Sequence, residues 1–158
     1  MSLRGKKIWI DIEEPKAGIM FKPLFKKFED EEATLMITAR DFDSTFQIMD
    51  NTGYKYIKVG RHGGDSLEGK LKAYSDRVQD LLPYVTEFNP DFFVTFGSVE
   101  GARISFGLQI RSVGFSDEPR SYYVSKLLFP FMDKIITPNA FHKNNTSDFT
   151  QIPKKSSG

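Results

Sequence analysis

The sequence predicts an α/β domain built on a parallel sheet of about six strands, with helices on both faces. Three observations predict it. Short apolar runs rich in β-branched residues alternate with longer stretches whose apolar residues recur at helical spacing. The first run, Lys7–Ile12, is apolar almost throughout, as in a strand covered on both faces. Glycine, proline and short polar residues gather in the joints between the runs. Right-handed crossovers then bring the loops that leave the strand C-termini to one edge of the sheet, with an expected strand order of 3-2-1-4-5-6.

The elements follow in order. Lys7-Ile8-Trp9-Ile10-Asp11-Ile12 is the first strand, and Glu13-Glu14-Pro15-Lys16-Ala17-Gly18 is a polar turn. Met20, Phe21, Leu24, Phe25 and Phe28 paint one face of a helix, which admits Pro23 only in its first turn. Thr34–Thr38 is the second strand. Asp41 or Asp43 caps the next helix, which carries Phe42, Phe46, Ile48 and Met49 and closes at Gly53. The third strand, Tyr54–Val59, alternates and is therefore less buried. A glycine-rich loop, Gly60-Arg61-His62-Gly63-Gly64-Asp65, leads into the longest helix. Leu67, Leu71, Tyr74, Val78, Leu81, Val85 and Phe88 form its core stripe, and Pro83 predicts a kink or an end near Leu82. Asp91–Phe96, a helix from Gly97-Ser98 to about Phe106, strand Arg111–Phe115, helix Tyr122–Leu128 and strand Lys134–Thr137 complete the series. Residues 1–141 form the domain, and the polar stretch 142–158 reads as a tail or linker.

Composition narrows the function classes. The 158 residues include 22 basic and 21 acidic side chains, for a formal charge of +1, which gives no global pull toward nucleic acid. Hydrophobic residues are 39% and charged residues 27%, the balance of a water-soluble globule. There is no cysteine, so a disulfide scaffold, a thiolate nucleophile and a cysteine metal site are excluded. No apolar run approaches the roughly 18 residues of a spanning helix, and the N-terminus is too short and polar for a signal peptide. A cytoplasmic protein is expected.

The loops at the predicted ligand edge hold the candidate chemistry. They are 11–18, 38–43, 60–66, 97–101, 116–120 and 137–142. Asp11 and Arg40 follow the first two strands, and Arg61 and His62 follow the third beside Gly63 and Gly64, whose bare backbones let N–H groups approach a ligand. Gly97 and Ser98 open a helix, where free N–H groups and the dipole favour an anion. Asp117 follows the fifth strand. Each has a plainer reading. Ser98 is an N-cap as well as a candidate ligand contact, His62 is an exposed loop residue that can also be idle, and Glu13 and Glu14 read as solvated. Loop 60–66 and the Gly97–Ser98 helix start are expected to lie close together, provided that the glycine-rich loop folds back toward the centre of the sheet.

Several chemistries are set aside. The first turn cannot supply the glycines of a G-x-G-x-x-G fingerprint, and there is no P-loop lysine motif. Two histidines and no cysteine leave a zinc site dependent on carboxylates, so no metal is expected. Gly97-Ser98-Val99-Glu100-Gly101 puts serine one place early for a nucleophile elbow.

A set of motifs carries a resemblance. Lys7–Ile12, Phe21-Lys22-Pro23-Leu24 and Thr38-Ala39-Arg40-Asp41-Phe42 belong to it, as do Gly60-Arg61-His62-Gly63-Gly64 and Leu67-Glu68-Gly69-Lys70-Leu71. Gly97-Ser98-Val99-Glu100-Gly101-Ala102-Arg103 and Met132-Asp133-Lys134-Ile135-Ile136-Thr137-Pro138 complete it. Together they resemble an uncharacterised, largely archaeal domain-of-unknown-function family, grouped with GT-B-type glycosyltransferases and UDP-GlcNAc 2-epimerases. The likeness covers about residues 6–141 and implies a Rossmann-like three-layer fold.

It further implies that the chain corresponds to an N-terminal half, with a second Rossmann-like domain expected after the equivalent of Pro138. In such proteins the C-terminal half grips the nucleotide-sugar, and the N-terminal half supplies acceptor contacts and often a base, without an obligatory metal or other cofactor. Asp11, Arg40, His62, Ser98 and Asp117 would then face the cleft. The epimerases carry an acidic residue where this chain has Ser98, so the base would fall to His62 or Asp117. The implied partner is a nucleotide-sugar or polyhydroxyl acceptor. The alternative is a non-catalytic module that holds a small anionic or polyhydroxyl ligand at the same edge.

Overall fold

The computed structural model describes residues 2–118 and 121–138; the expected tail at 142–158 lies outside the described residues. Among the described residues six strands alternate with five α-helices, the last followed by a short 3-10 turn (Phe129–Phe131): β1 (Lys7–Ile12), α1 (Pro15–Asp30), β2 (Thr34–Asp41), α2 (Thr45–Thr52), β3 (Ile57–Arg61), α3 (Leu67–Phe88), β4 (Phe92–Thr95), α4 (Val99–Gly107), β5 (Arg111–Phe115), α5 (Tyr122–Leu128) and β6 (Lys134–Ile136). The sheet runs β3-β2-β1-β4-β5-β6 with every pairing parallel. This is the expected order, and β1 and β4 flank the point where it reverses.

Strand alternation builds two cores. Ile8, Ile10 and Ile12 of β1 point to one face and pack with Phe21 and Phe25 of α1, Ile37 of β2 and Met49 of α2. Trp9 points to the other face, where it meets Phe93, Leu81 and Val85, with the Trp9 and Phe93 ring centroids 4.3 Å apart. The period of two also sends Asp11, and Glu13 just beyond the strand, toward the Trp9 side. That parity decides the chemistry of the site.

Several local expectations are corrected. α1 begins at Pro15, so the predicted polar turn is largely helix and Pro23 is interior to it. α3 runs unbroken through Pro83 to Phe88. Both prolines lie on exposed faces, where water can take the place of the lost ladder bond at the carbonyl four residues earlier. Asp41 ends β2 and caps nothing. Ser44 precedes α2, and Gly53 closes that helix at φ 79° as expected. β3 starts at Ile57 and absorbs Gly60 and Arg61.

The stripe on α3 packs as expected at Val78, Leu81, Val85 and Phe88 but not at its N-terminal end. Arg77, Leu81 and Val85 are its buried residues, whereas Leu67 and Leu71 are 85% and 69% exposed because the first turns overhang the sheet edge.

Candidate functional site

The C-terminal edge of the sheet carries a cleft of about 800 Å³. Glu13, Arg40 and Glu100 lie at its floor, Phe42, Phe96 and Phe115 line its walls, and Leu71, Tyr123, Val124 and Leu127 stand at its rim.

Beneath the floor is a buried polar network with Asp11 at its centre. Asp11 has no exposed surface. The Arg77 guanidinium reaches it from α3, with Nη2 2.7 Å from Oδ1 and Nη1 2.9 Å from Oδ2, while Arg77 Nε donates to the Val59 carbonyl at 2.9 Å. Thr38 Oγ1 donates to Asp11 Oδ1 and itself accepts from Trp9 Nε1 at 2.9 Å. Ser98 Oγ donates to Asp11 Oδ2 at 2.6 Å and accepts from the Gly101 N–H at 2.9 Å, which caps α4. Opposed carboxylates outweigh the burial cost at Arg77 and hold its guanidinium firmly charged.

Gly60 makes room for this arginine. It stands at φ 74°, and a side chain there would meet Arg77 Cγ and Cδ at 2.7 Å. The loop then crosses the first turn of α3 so closely that a Cβ on Gly63 would meet the Gly69 carbonyl oxygen at 2.3 Å. This contact folds the glycine-rich loop over the cleft.

Two further carboxylates surround the same cation. Arg77 Nη1 is 3.2 Å from Glu13 Oε1 and 3.6 Å from Glu100 Oε2. On the cleft side, Arg40 Nη2 is 3.6 Å from Glu13 Oε2, and Arg40 Nη1 is 3.9 Å from Glu100 Oε1. Glu13 is 6% exposed and Glu100 2%. Burial, then the charge of Glu100 and a hydrogen bond with it, push the Glu13 carboxyl well above the usual carboxylate range, against Arg40 and Arg77. Glu13 is therefore not the solvated residue expected from its polar neighbours.

The structure brings some candidates together and separates others. Arg40, His62, Gly63, Gly97 and Asp117 line the cleft. The glycine-rich loop and the start of α4 thus border one space, as anticipated. Arg61 and Gly64 line a neighbouring cavity of about 680 Å³ outside β3, which His62 and Gly63 also border. Asp11 and Ser98 lie below the cleft and spend their hydrogen bonds within the protein.

His62 stacks 4.6 Å from the Phe42 ring and accepts the Gly64 N–H at Nδ1, which leaves the neutral ring's proton on Nε2. Burial, with Arg40 and Lys70, lowers its pKa. Both oxygens of Asp117 accept from Lys16 Nζ, at 3.0 and 2.9 Å. Among the described residues no group of His, Asp and Glu side chains is arranged to hold a metal ion. No described helix is long and apolar enough to cross a membrane.

Sequence reasoning missed Arg77 and Glu100. Arg77 carried a signal, since it lies four and eight residues before the buried Leu81 and Val85. Glu100 carried none beyond an acidic first helical turn.

Fold and site together define a Rossmann-like α/β domain with a polar-floored ligand cleft at the strand C-termini. Residues 6–157 match the family described as protein of unknown function DUF354, and the chain belongs to that family. An uncharacterized protein of Methanocaldococcus jannaschii is 30% identical over 142 residues, covering 90% of this chain. The chain spans 41% of that relative's length. The Methanocaldococcus jannaschii UDP-GlcNAc 2-epimerase, solved with UDP-GlcNAc and UDP, superposes with a TM-score of 0.73 at 14% identity, over 91% of this chain and 43% of that one. The Streptomyces glycosyltransferase SsfS6 superposes with a TM-score of 0.56 at 14% identity, over 70% of this chain and 39% of that one. The architecture is thus that of the GT-B and UDP-GlcNAc 2-epimerase fold.

Proposed function

We propose that this chain is the acceptor-side domain of a nucleotide-sugar-processing protein of the GT-B type. The observation that carries the reading is the charged floor of Glu13, Arg40 and Glu100 set within aromatic walls, at the sheet's switch point. A sugar matches that surface. Its hydroxyl groups hydrogen-bond to carboxylate and guanidinium, and its C–H faces pack on rings such as Phe42, Phe96 and Phe115. The fold it shares with an epimerase solved with UDP-GlcNAc and UDP supports the nucleotide-sugar class.

In this reading Arg40, the Nε2–H of His62 and the backbone at Gly63 and Gly97 orient the ligand at the cleft. Asp117 and its Lys16 partner border the opposite wall. Asp11 and Ser98 hold the floor from below. The nucleotide would be gripped by a second domain, so residues 1–158 alone are expected to fold without transferring sugar. Calorimetric titration of the full-length polypeptide with a panel of UDP-sugars tests the reading. Binding that Arg40→Ala weakens at least tenfold, with circular dichroism unchanged, is expected. No binding to any nucleotide-sugar, or full turnover by residues 1–158 alone, would sink it.

A further inference from the structure

We propose that Glu100 takes the proton of a bound substrate hydroxyl, with Glu13 as its proton-holding neighbour on the cleft floor. This inference rests on the nucleotide-sugar reading for the identity of the electrophile, although the carboxyl pair itself does not depend on it.

Four observations lead to Glu100. It lines the cleft although only 2% exposed, and its Oε2, buried 3.6 Å from Arg77 Nη1, has no hydrogen-bond partner among the described residues. A buried carboxylate oxygen without a hydrogen-bond donor is a costly arrangement, which uptake of a proton by that carboxyl relieves.

The charge balance comes next. The carboxylates of Asp11, Glu13 and Glu100 share the two guanidinium groups of Arg77 and Arg40. One negative charge is left over in a buried site, and a proton on one carboxyl removes it. Burial and the charge of Glu100 both raise the Glu13 pKa, so the proton is assigned to Glu13, on the side of Glu100. Tyr74 of α3 is the next titratable group, near enough to Glu100 for that charge to raise its own pKa further after burial has done so.

Asp11, Asp117 and His62 are committed elsewhere. Asp11 already accepts from Arg77, Thr38 and Ser98. Asp117 is closed by Lys16, and His62, with Nδ1 accepting from Gly64, presents a donor at Nε2. In the step assigned to Glu100, the substrate O–H bond breaks and its proton passes to the carboxylate. The oxygen's electron pair forms a bond to the anomeric carbon of a nucleotide-sugar. The bond from that carbon to the phosphate oxygen breaks, and its electrons leave with the nucleoside diphosphate. The charge lost at Glu100 reappears on the leaving group.

Carbon-13 labelling of glutamate side-chain carboxyl carbons tests this directly, with Glu13→Gln and Glu100→Gln assigning the signals. At neutral pH the Glu13 signal is expected at the protonated position and the Glu100 signal at the ionised one. Free N-acetylglucosamine, as the hydroxyl probe, should move the Glu100 signal. Both signals ionised at neutral pH, or a Glu100 signal indifferent to the probe, would overturn the proposal. In the full-length polypeptide, Glu100→Gln should lower kcat about a hundredfold or more while KM for the UDP-sugar changes little. An unchanged kcat would equally overturn it. If no UDP-sugar binds, the proposed function fails by itself, and the carbon-13 signals still decide the role of Glu100.

Discussion

Arg77 of α3 lies with its guanidinium fork against both oxygens of Asp11, at 2.7 and 2.9 Å, across 66 residues of sequence and with neither side chain exposed. The pair ties the longest helix to the central strand directly under the cleft. Removing one member leaves the other as a buried charge without its partner, which costs far more than a surface ion pair contributes. Its role is to fix the height and tilt of the cleft floor, because Glu13 and Glu100 share the same cation.

Arg77→Ala is expected to destabilise the fold by about 3–5 kcal/mol, the range for breaking a buried ion pair. Urea denaturation followed by tryptophan fluorescence would measure it, since Trp9 packs in the same core. A loss below about 1 kcal/mol, typical of exposed pairs, would contradict the assigned role.

Gly60 and Gly64 share nearly the same backbone angle, φ 74° and 75°, yet differ in surroundings. A side chain at Gly64 would meet nothing, whereas one at Gly60 would collide with the stem of Arg77. Gly64→Ala should therefore cost only the left-handed penalty of about 1–2 kcal/mol. Gly60→Ala should cost that and the displacement of Arg77 as well. Thermal unfolding of the two variants side by side would separate strain from collision, and equal losses would refute the contact.

The pH dependence of stability contains two opposed contributions. Glu13 has a folded pKa above its ordinary 4.5, so the folded state binds the extra proton. Its contribution is fully present below about 4.5 and is lost as pH rises through the raised value. His62 has a folded pKa below its ordinary 6.5, so its contribution is present above that value and is lost as pH falls through the lowered one. Glu13→Gln should flatten the loss toward alkaline pH, and His62→Asn the loss toward acid. Denaturation midpoints across a pH series would show each separately. Unaltered profiles in both variants would remove the basis for these assignments.

His62 is half-buried at the mouth of the cleft and contacts the protein mainly through the Phe42 ring and Gly64. His62→Ala should cost about 1 kcal/mol of stability, in line with one aromatic contact, and should weaken sugar binding disproportionately. Paired denaturation and calorimetry would decide it. Full binding by the variant would leave His62 as loop structure only.

What the sequence determined by itself was the pattern of elements. The strand order came with the Rossmann-like resemblance, whereas alternating β and helical periods, with right-handed crossovers, specified six parallel strands. Those signals are local, because period and chirality act within a few residues. Candidate residues could be placed at one edge for the same reason: the loops after parallel strands have nowhere else to go. Arg40, His62, Gly63, Gly97 and Asp117 duly line one cleft.

Tertiary structure alone decided which side chains are buried together. Whether Glu13 is solvated or sealed depends on α3 and α4 closing over it, and neither helix is its neighbour in sequence. Pro23 was expected in a first turn and Pro83 at a kink or an end, yet both stand inside continuous helices on exposed faces. Arg77 stands between Tyr74 and Val78 of the apolar stripe without belonging to it. Only the sheet's register and the gap above Gly60 turned it inward to Asp11, since a charge is buried only where its partners already stand.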